Sequence, residues 1–205
     1  WLWLRGMVLS WILGKRVVAR RIDYHNIRSM AFGVTLIPEK YTRSAIYLVR
    51  NPLDMMLSYA RHFGMTHEEA VEAVCHSDNS NVSEDTTVPQ FLGSWSEHVL
   101  SWTSKSPYPL ITVRYEDLLE DPQQHFGRIL EHIGIPVEPE RLDKAIRFSS
   151  FEELSSQEEK AGFVERSPKN ERFFTKGKRD QWKTDLDPSL VSKIKRVHRK
   201  TMKKF

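Results

Sequence analysis

Ala45-Ile46-Tyr47-Leu48-Val49-Arg50-Asn51-Pro52, running on through Leu53-Asp54-Met55-Met56-Leu57-Ser58-Tyr59-Ala60-Arg61-His62-Phe63-Gly64, is the stretch that decides the fold. Its first five residues are β-prone and apolar without alternation, the pattern of a strand covered on both faces, as in a parallel sheet. Arg50-Asn51-Pro52 ends that strand. Residues 53–63 then read as a helix stopped at Gly64, so the strand passes straight into a helix.

The same alternation continues outward. Thr66 with Glu69 forms a capping-box pattern that opens a second helix to about Val74. Residues 77–90, with Asn79, Asn81, Asp85 and Pro89, predict a loop. Ser94 to Trp102 predicts a helix, and Leu110-Ile111-Thr112-Val113 a second buried strand. Asp121-Pro122 is a strong helix start, followed by Phe126, Ile129, Leu130 and Ile133 at helical spacing and by Gly134 as the stop. Asp187-Pro188 opens a last helix, with Leu190, Ile194 and Val197 inward and a basic, solvated outer face. Val17 to Ala19 adds a short apolar stretch near the start. The expectation is an α/β fold, a central parallel β-sheet flanked by helices, as a single domain over 1–205.

Composition narrows the classes. A chain of 205 residues has room for one full domain, and 40% hydrophobic residues with only 9 Gly and 10 Pro exclude a disordered or collagen-like chain. The net charge of +4 is small for a nucleic-acid binder and compatible with a small polyanionic ligand, so no nucleic-acid partner is expected. Cys75 is the single cysteine, which implies a reducing compartment and a cytoplasmic location. The opening WLWLRGMVLSWIL, Trp1 to Leu13, falls short of the about 20 apolar residues a membrane span needs. It has neither basic leader nor cleavage site, and it predicts a core helix rather than a membrane contact.

Ligands in open α/β sheets bind at the carboxyl ends of strands. Arg50 stands at the end of AIYLV, with Ser58 eight residues on, so guanidinium and hydroxyl could close on a phosphate. The competing reading pairs Arg50 with Asp54 and leaves Ser58 to solvent. Tyr115-Glu116-Asp117, after ITVR, reads as a turn with a surface carboxylate and a packed tyrosine. In FFTKGKRDQWK, Phe173 to Lys183, the cations Lys176, Lys178 and Arg179 surround Gly177, either converging on an anion or solvated as a basic loop. His62, His67 and His76 read as helix-surface residues, Asn81-Val82-Ser83 as a chance sequon, and no metal-binding, Walker A or GxGxxG pattern is present.

Together these segments resemble the family of PAPS-dependent sulfotransferases, which move a sulfuryl group from 3′-phosphoadenosine 5′-phosphosulfate (PAPS) to an acceptor and have a P-loop-kinase-like fold. The resemblance implies that Arg50 and Ser58 grip the 3′-phosphate and that Tyr115 lies near the adenine. It implies that Ser149-Ser150-Phe151 contacts the nucleoside, with Phe151 on the adenine ring. Thr175, Lys176 and Gly177, with Trp182 beyond, match the family's late phosphate-binding loop, Thr175 standing where an arginine is common. Trp3 resembles the tryptophan that closes the 5′-phosphosulfate loop. That loop's lysine is not in this sequence, and residues of it, and of flexible internal segments, are expected to lie outside it. His25, in Asp23-Tyr24-His25-Asn26, resembles the catalytic histidine, without the family's preceding lysine and threonine. The implied activity is sulfuryl transfer to a hydroxyl or amine of a small-molecule acceptor, with His25 as general base. The product would be 3′-phosphoadenosine 5′-phosphate (PAP), no metal is expected, and the protein would be a monomer or homodimer. Residues 64–90, with Phe63, His67 and His76, are the expected acceptor wall. A degenerate, non-catalytic nucleotide-binding scaffold and a nucleotide-kinase-like transferase using ATP and magnesium stay open as rivals.

Overall fold

Asn51 and Pro52 explain why strand becomes helix at residue 50. The Asn51 side chain accepts a hydrogen bond from the Leu53 N–H at 3.0 Å, satisfying one of the donors that a helix start leaves without a partner. Pro52, which has no N–H to satisfy, fills the first helical position. The computed structural model describes residues 43–81, 90–104, 106, 108–164, 166 and 170–205. Trp3, His25 and the stretch Val17 to Ala19 lie outside these residues.

Strand β1, Ala45–Val49, runs parallel to β4, Leu110–Arg114, in register from Ala45 against Leu110 to Val49 against Arg114. Burial alternates along β1, with Ala45, Tyr47 and Val49 inside, and in β4 only Val113 is fully buried. The two are thus less enclosed than their unbroken apolar sequences predict. Helix α1, Pro52–Phe63, ends as expected at Gly64, whose φ of 63° suits a residue without a Cβ. Helix α2, His67–Cys75, opens on the Thr66–Glu69 capping box, with both of its hydrogen bonds formed. Helix α3, Trp95–Thr103, opens on a second such box, Ser94 with Glu97. Between α2 and α3 a short antiparallel pair, β2 (Ser80–Asn81) with β3 (Gln90–Phe91), interrupts the predicted loop. Two-residue strands carry no alternation to read.

Two compact units emerge. Asp117–Lys178 forms one, and the described residues through Glu116 together with Arg179–Phe205 form the other. The strand-bearing unit buries Leu53, Met56, Val71, Val99 and Ile194 in one cluster. It also holds α8, Trp182–Asp185, and α9, Pro188–Met202, whose N-cap Asp187 accepts from the Ser189 N–H at 2.8 Å. In the other unit α5, Pro122–His132, starts on Asp121, whose carboxylate accepts from the Gln124 N–H at 2.9 Å. Leu130 of α5 packs with Leu142 and Ala145 of α6, Pro139–Phe148, and α7, Phe151–Ala161, follows. The short α4, Tyr115–Glu120, follows β4 directly.

One expectation about α9 fails. Val197 is 45% exposed, and His198 beside it is fully buried. The row of residues four apart, Leu190 and Ile194, continues to position 198 rather than 197, so the inward side chain there is an imidazole. It packs edge-on against Trp95, ring centroids 5.4 Å apart, with Nδ1 2.8 Å from the Ser96 hydroxyl. A second imidazole, the half-buried His98, has its Nδ1 2.5 Å from the Tyr47 hydroxyl. Burial lowers the pKa of His98 to about 3 and that of His198 to about 4, from 6.5. Both are therefore neutral in the folded protein at pH 5, while the unfolded chain protonates them below 6.5. Stability from this source is complete above pH 6.5 and lost as pH falls toward those folded values. Between pH 6.5 and 5, above the carboxylate range, denaturant unfolding should show stability declining with a slope approaching one proton for each histidine. A flat profile over that interval would mean that water reaches both rings.

Candidate functional site

Because Val49 pairs with Arg114, the residues that follow them, Arg50 and Tyr115, leave the parallel pair at the same edge. That edge is the carboxyl end of both strands, where α/β sheets place ligands. The Arg50 guanidinium carbon lies 4.6 Å from the centre of the Tyr115 ring, and Nη1 donates to the Ser58 hydroxyl at 3.0 Å. Ser58 sits one helical turn beyond Asp54 on α1, so the hydroxyl faces back toward the strand end. Burial raises the pKa of the Tyr115 phenol, with the Arg50 charge opposing it, so the hydroxyl keeps its proton at neutral pH.

The backbone around Arg50 is pinned from two sides. The Trp95 indole N–H donates to the Arg50 carbonyl at 3.2 Å, and the Asn51 N–H donates to the Glu116 carboxylate at 3.0 Å. Glu116 is thus a brace for the turn and not the surface carboxylate its sequence suggests. Asp54, the rival partner for Arg50, is buried, and its two carboxylate oxygens accept from the N–H groups of Asp180 at 2.7 Å and Trp182 at 3.1 Å. Asp180 adopts φ 63°, a left-handed conformation that aspartate tolerates better than most residues. Lys195 lies over the Trp182 ring, 4.8 Å from its centre. The amide-binding role of Asp54 leaves no trace in the local sequence, because its partners lie more than a hundred residues away.

In the other unit, Ser150 caps α7, its hydroxyl accepting from the Glu153 N–H at 3.2 Å. Phe151 follows as the first helical residue and packs edge-on to Phe174, centroids 6.2 Å apart. Gly177 has φ 59° and lies so close to Phe151 that a Cβ there would overlap three atoms of the ring. Phe151, Lys176, Gly177 and Lys178 line an open pocket of about 430 Å³, whose wall also carries the carboxylates Glu152 and Glu159. Thr175 is exposed beside it. Glu158, buried on the inner side of α7, accepts from the N–H groups of Phe173 at 2.6 Å and Phe174 at 2.9 Å. Glu158 is not among the residues that the sequence singles out. The signal that could have found it is its position four residues after the buried Leu154, on the same inner row.

The structure therefore brings Arg50, Ser58 and Tyr115 together in one unit, and Ser150, Phe151, Thr175, Lys176 and Gly177 in the other. His62 and His76 are exposed and His67 is half-buried. Among the described residues, no group of three or more His, Cys, Asp or Glu side chains could hold a metal ion, and no helix is long and apolar enough to cross a membrane.

Comparison with known proteins adds a family. The sulfotransferase domain matches residues 21–205. Sulfotransferase 1A1 of Bos taurus is 32% identical over 127 residues, which cover 58% of this chain and 39% of that protein. Flavonol 3-sulfotransferase of Flaveria bidentis is 27% identical over 195 residues, covering 82% of this chain and 59% of that one. The chain thus spans between about two fifths and three fifths of the length of these relatives. The crystal structure of mouse sulfotransferase SULT7A1 complexed with PAP superposes with a TM-score of 0.64 at 22% identity, over 82% of this chain and 61% of that one. At that identity the likeness establishes the α/β sulfotransferase fold.

The Gly177–Phe151 contact makes a sharp demand. Gly177→Ala should cost about 1–2 kcal/mol from the positive φ alone, and more from the overlap with the ring. In a double-mutant cycle read by denaturant unfolding, Phe151→Ala should relieve the overlap, so the two substitutions combine to less than the sum of their separate losses. Strict additivity would show that ring and glycine do not touch.

Proposed function

The chain belongs to the sulfotransferase domain family, and from that premise we propose that it transfers a sulfuryl group from PAPS to a hydroxyl or amine of a small-molecule acceptor. The observation that carries this reading is the Arg50 guanidinium bonded to the Ser58 hydroxyl at the carboxyl end of the parallel strands, its backbone braced by Trp95 and Glu116. A permanent cation with fork geometry and an adjacent hydroxyl suit a phosphate monoester, here the 3′-phosphate of the nucleotide. The start of α1 beside them adds the positive end of a helix dipole. Tyr115, kept protonated and held against Arg50, offers an aromatic surface and a hydroxyl to the adenosine.

In the other unit we assign Phe151 to the adenine ring and Ser150 to the nucleoside. Thr175, Lys176 and Gly177 are assigned to a phosphate, where a lysine and the amides of a tight turn favour negative charge. Trp3 closes the 5′-phosphosulfate side. His25 takes the acceptor's proton as its oxygen or nitrogen attacks sulfur, a task for which an imidazole of ordinary pKa near 6.5 is suited. PAPS supplies the sulfuryl group, PAP leaves, and fixed donors offset the charge that develops between them. The reading calls on no metal ion, places the protein in the cytoplasm as a monomer or homodimer, and assigns part of the acceptor wall to residues 64–90.

Calorimetric titration with PAP, run beside AMP and ATP, tests it. Binding that depends on the 3′-phosphate and is indifferent to magnesium is the expected result, and ATP binding that needs magnesium would point to kinase-like chemistry instead. Arg50→Ala should weaken PAP about 10- to 100-fold, the loss of a charged hydrogen bond, while AMP changes little. Equal weakening of both nucleotides would remove the 3′-phosphate assignment. His25→Ala should abolish turnover and leave PAP affinity within about twofold. Parallel loss of affinity would make His25 structural, and binding without turnover in the parent protein would favour a scaffold.

A further inference from the structure

Helix α9 and the residues just past it carry the densest charge in the chain. From Pro188 to Phe205 there are seven Lys and Arg residues and no Asp or Glu. The whole chain has a net charge of only +4, so everything outside this segment is net acidic. Six of the cations recur as neighbouring pairs four residues apart: Lys195 with Arg196, Arg199 with Lys200, and Lys203 with Lys204. At 1.5 Å of rise per residue, successive pairs stand about 6 Å apart along one side of the helix and its continuation. All six are exposed, none makes an ion pair with a described residue, and only the Lys195 charge has another contact among those residues, the Trp182 ring. The nearby acids are engaged elsewhere, Glu72 with Lys193 and Asp187 at the helix cap. One or two cations in the last turn would serve the helix dipole. Six exceed that need.

We propose that this face docks on an anionic lipid surface, held by charge alone. Ile194, His198 and Thr201 are buried on the opposite side of α9, so the helix cannot turn an apolar face outward and insert. The aromatic rings nearest this face, Trp182 beneath Lys195 and Phe205 against the core, are both half-buried, so no open row of rings is offered to stacking bases. The one exposed apolar side chain here is Val197, so the face has no apolar centre of the kind a protein interface buries. A fluid layer of anionic headgroups asks only for several cations within a Debye length of it, and four to eight Lys and Arg on an amphipathic helix meet that demand. Such docking departs from the sequence expectation, which gives no membrane partner and reads this basic face as solvated.

Co-sedimentation of the full chain with vesicles of phosphatidylcholine containing one-third phosphatidylserine, in about 0.1 M salt, tests the proposal. The protein should pellet with these vesicles, stay in solution with pure phosphatidylcholine, and be released at about 0.5 M salt. Taking about fivefold per cation, Lys195→Gln, Arg196→Gln, Arg199→Gln and Lys200→Gln combined should lower partitioning by more than about 100-fold with the unfolding midpoint unchanged. The milder pair Lys203→Gln with Lys204→Gln should lose about 25-fold, and gives a reading even if the fourfold variant fails to fold. Removing the same number of cations elsewhere, at Arg128, Arg141, Lys144 and Arg147, should change little. Equal binding to neutral vesicles, equal loss in that matched control, or tighter binding to duplex DNA than to the vesicles would each overturn it.

Discussion

A buried carboxylate that binds backbone rather than a cation sets the terms for the candidate site. Asp54 lies four residues from Arg50 and could neutralise it, yet both of its oxygens are spent on the amides of Asp180 and Trp182. Burying a carboxylate costs several kcal/mol unless hydrogen bonds satisfy it, and two amide donors are the satisfaction found here. The segment leading into α8 is thereby fastened to α1, while the guanidinium next to it is turned to the Ser58 hydroxyl. Glu158 repeats the device within the other unit, holding Phe173 and Phe174 by their N–H groups. In both cases an acid fixes main chain beside candidate site residues instead of pairing with a side-chain cation.

The remaining constraints on Arg50 also act through backbone atoms. Trp95 holds its carbonyl and Glu116 holds the next amide, so the turn is fixed without using the guanidinium itself. A turn held this way is preorganised, with little ordering of its backbone left to be done.

What the sequence made legible is what local chemistry encodes. The strand AIYLV, the Thr66–Glu69 box, the Asp121-Pro122 start and the Gly64 stop all rest on residues within four positions of one another, and the structure has each where it was expected. Arg50 and Ser58 were legible as a spacing, but whether Asp54 would capture the arginine depended on residues 180 and 182, which no local pattern reaches. The brace that Glu116 provides is hidden for the same reason, since its partner is 65 residues away. Apolar character points to Val197, whereas helical phase puts His198 on the inner row, and phase decides. His25 and Trp3 lie outside the described residues, so their assignment rests on resemblance.

The parallel register has a consequence for how the site comes into being. Arg50 and Tyr115 are neighbours only because two strands from distant parts of the chain have paired, and the Asn51–Glu116 bond closes a loop of 65 residues. Such non-local pairing is the slow part of folding, since the entropy of closing the loop is lost before any contact rewards it. During synthesis the arginine, the helix and the serine are all made well before the strand that aligns them. The arrangement at this edge therefore arises late and all at once, as a property of the finished topology and not of the segment that contains the motif.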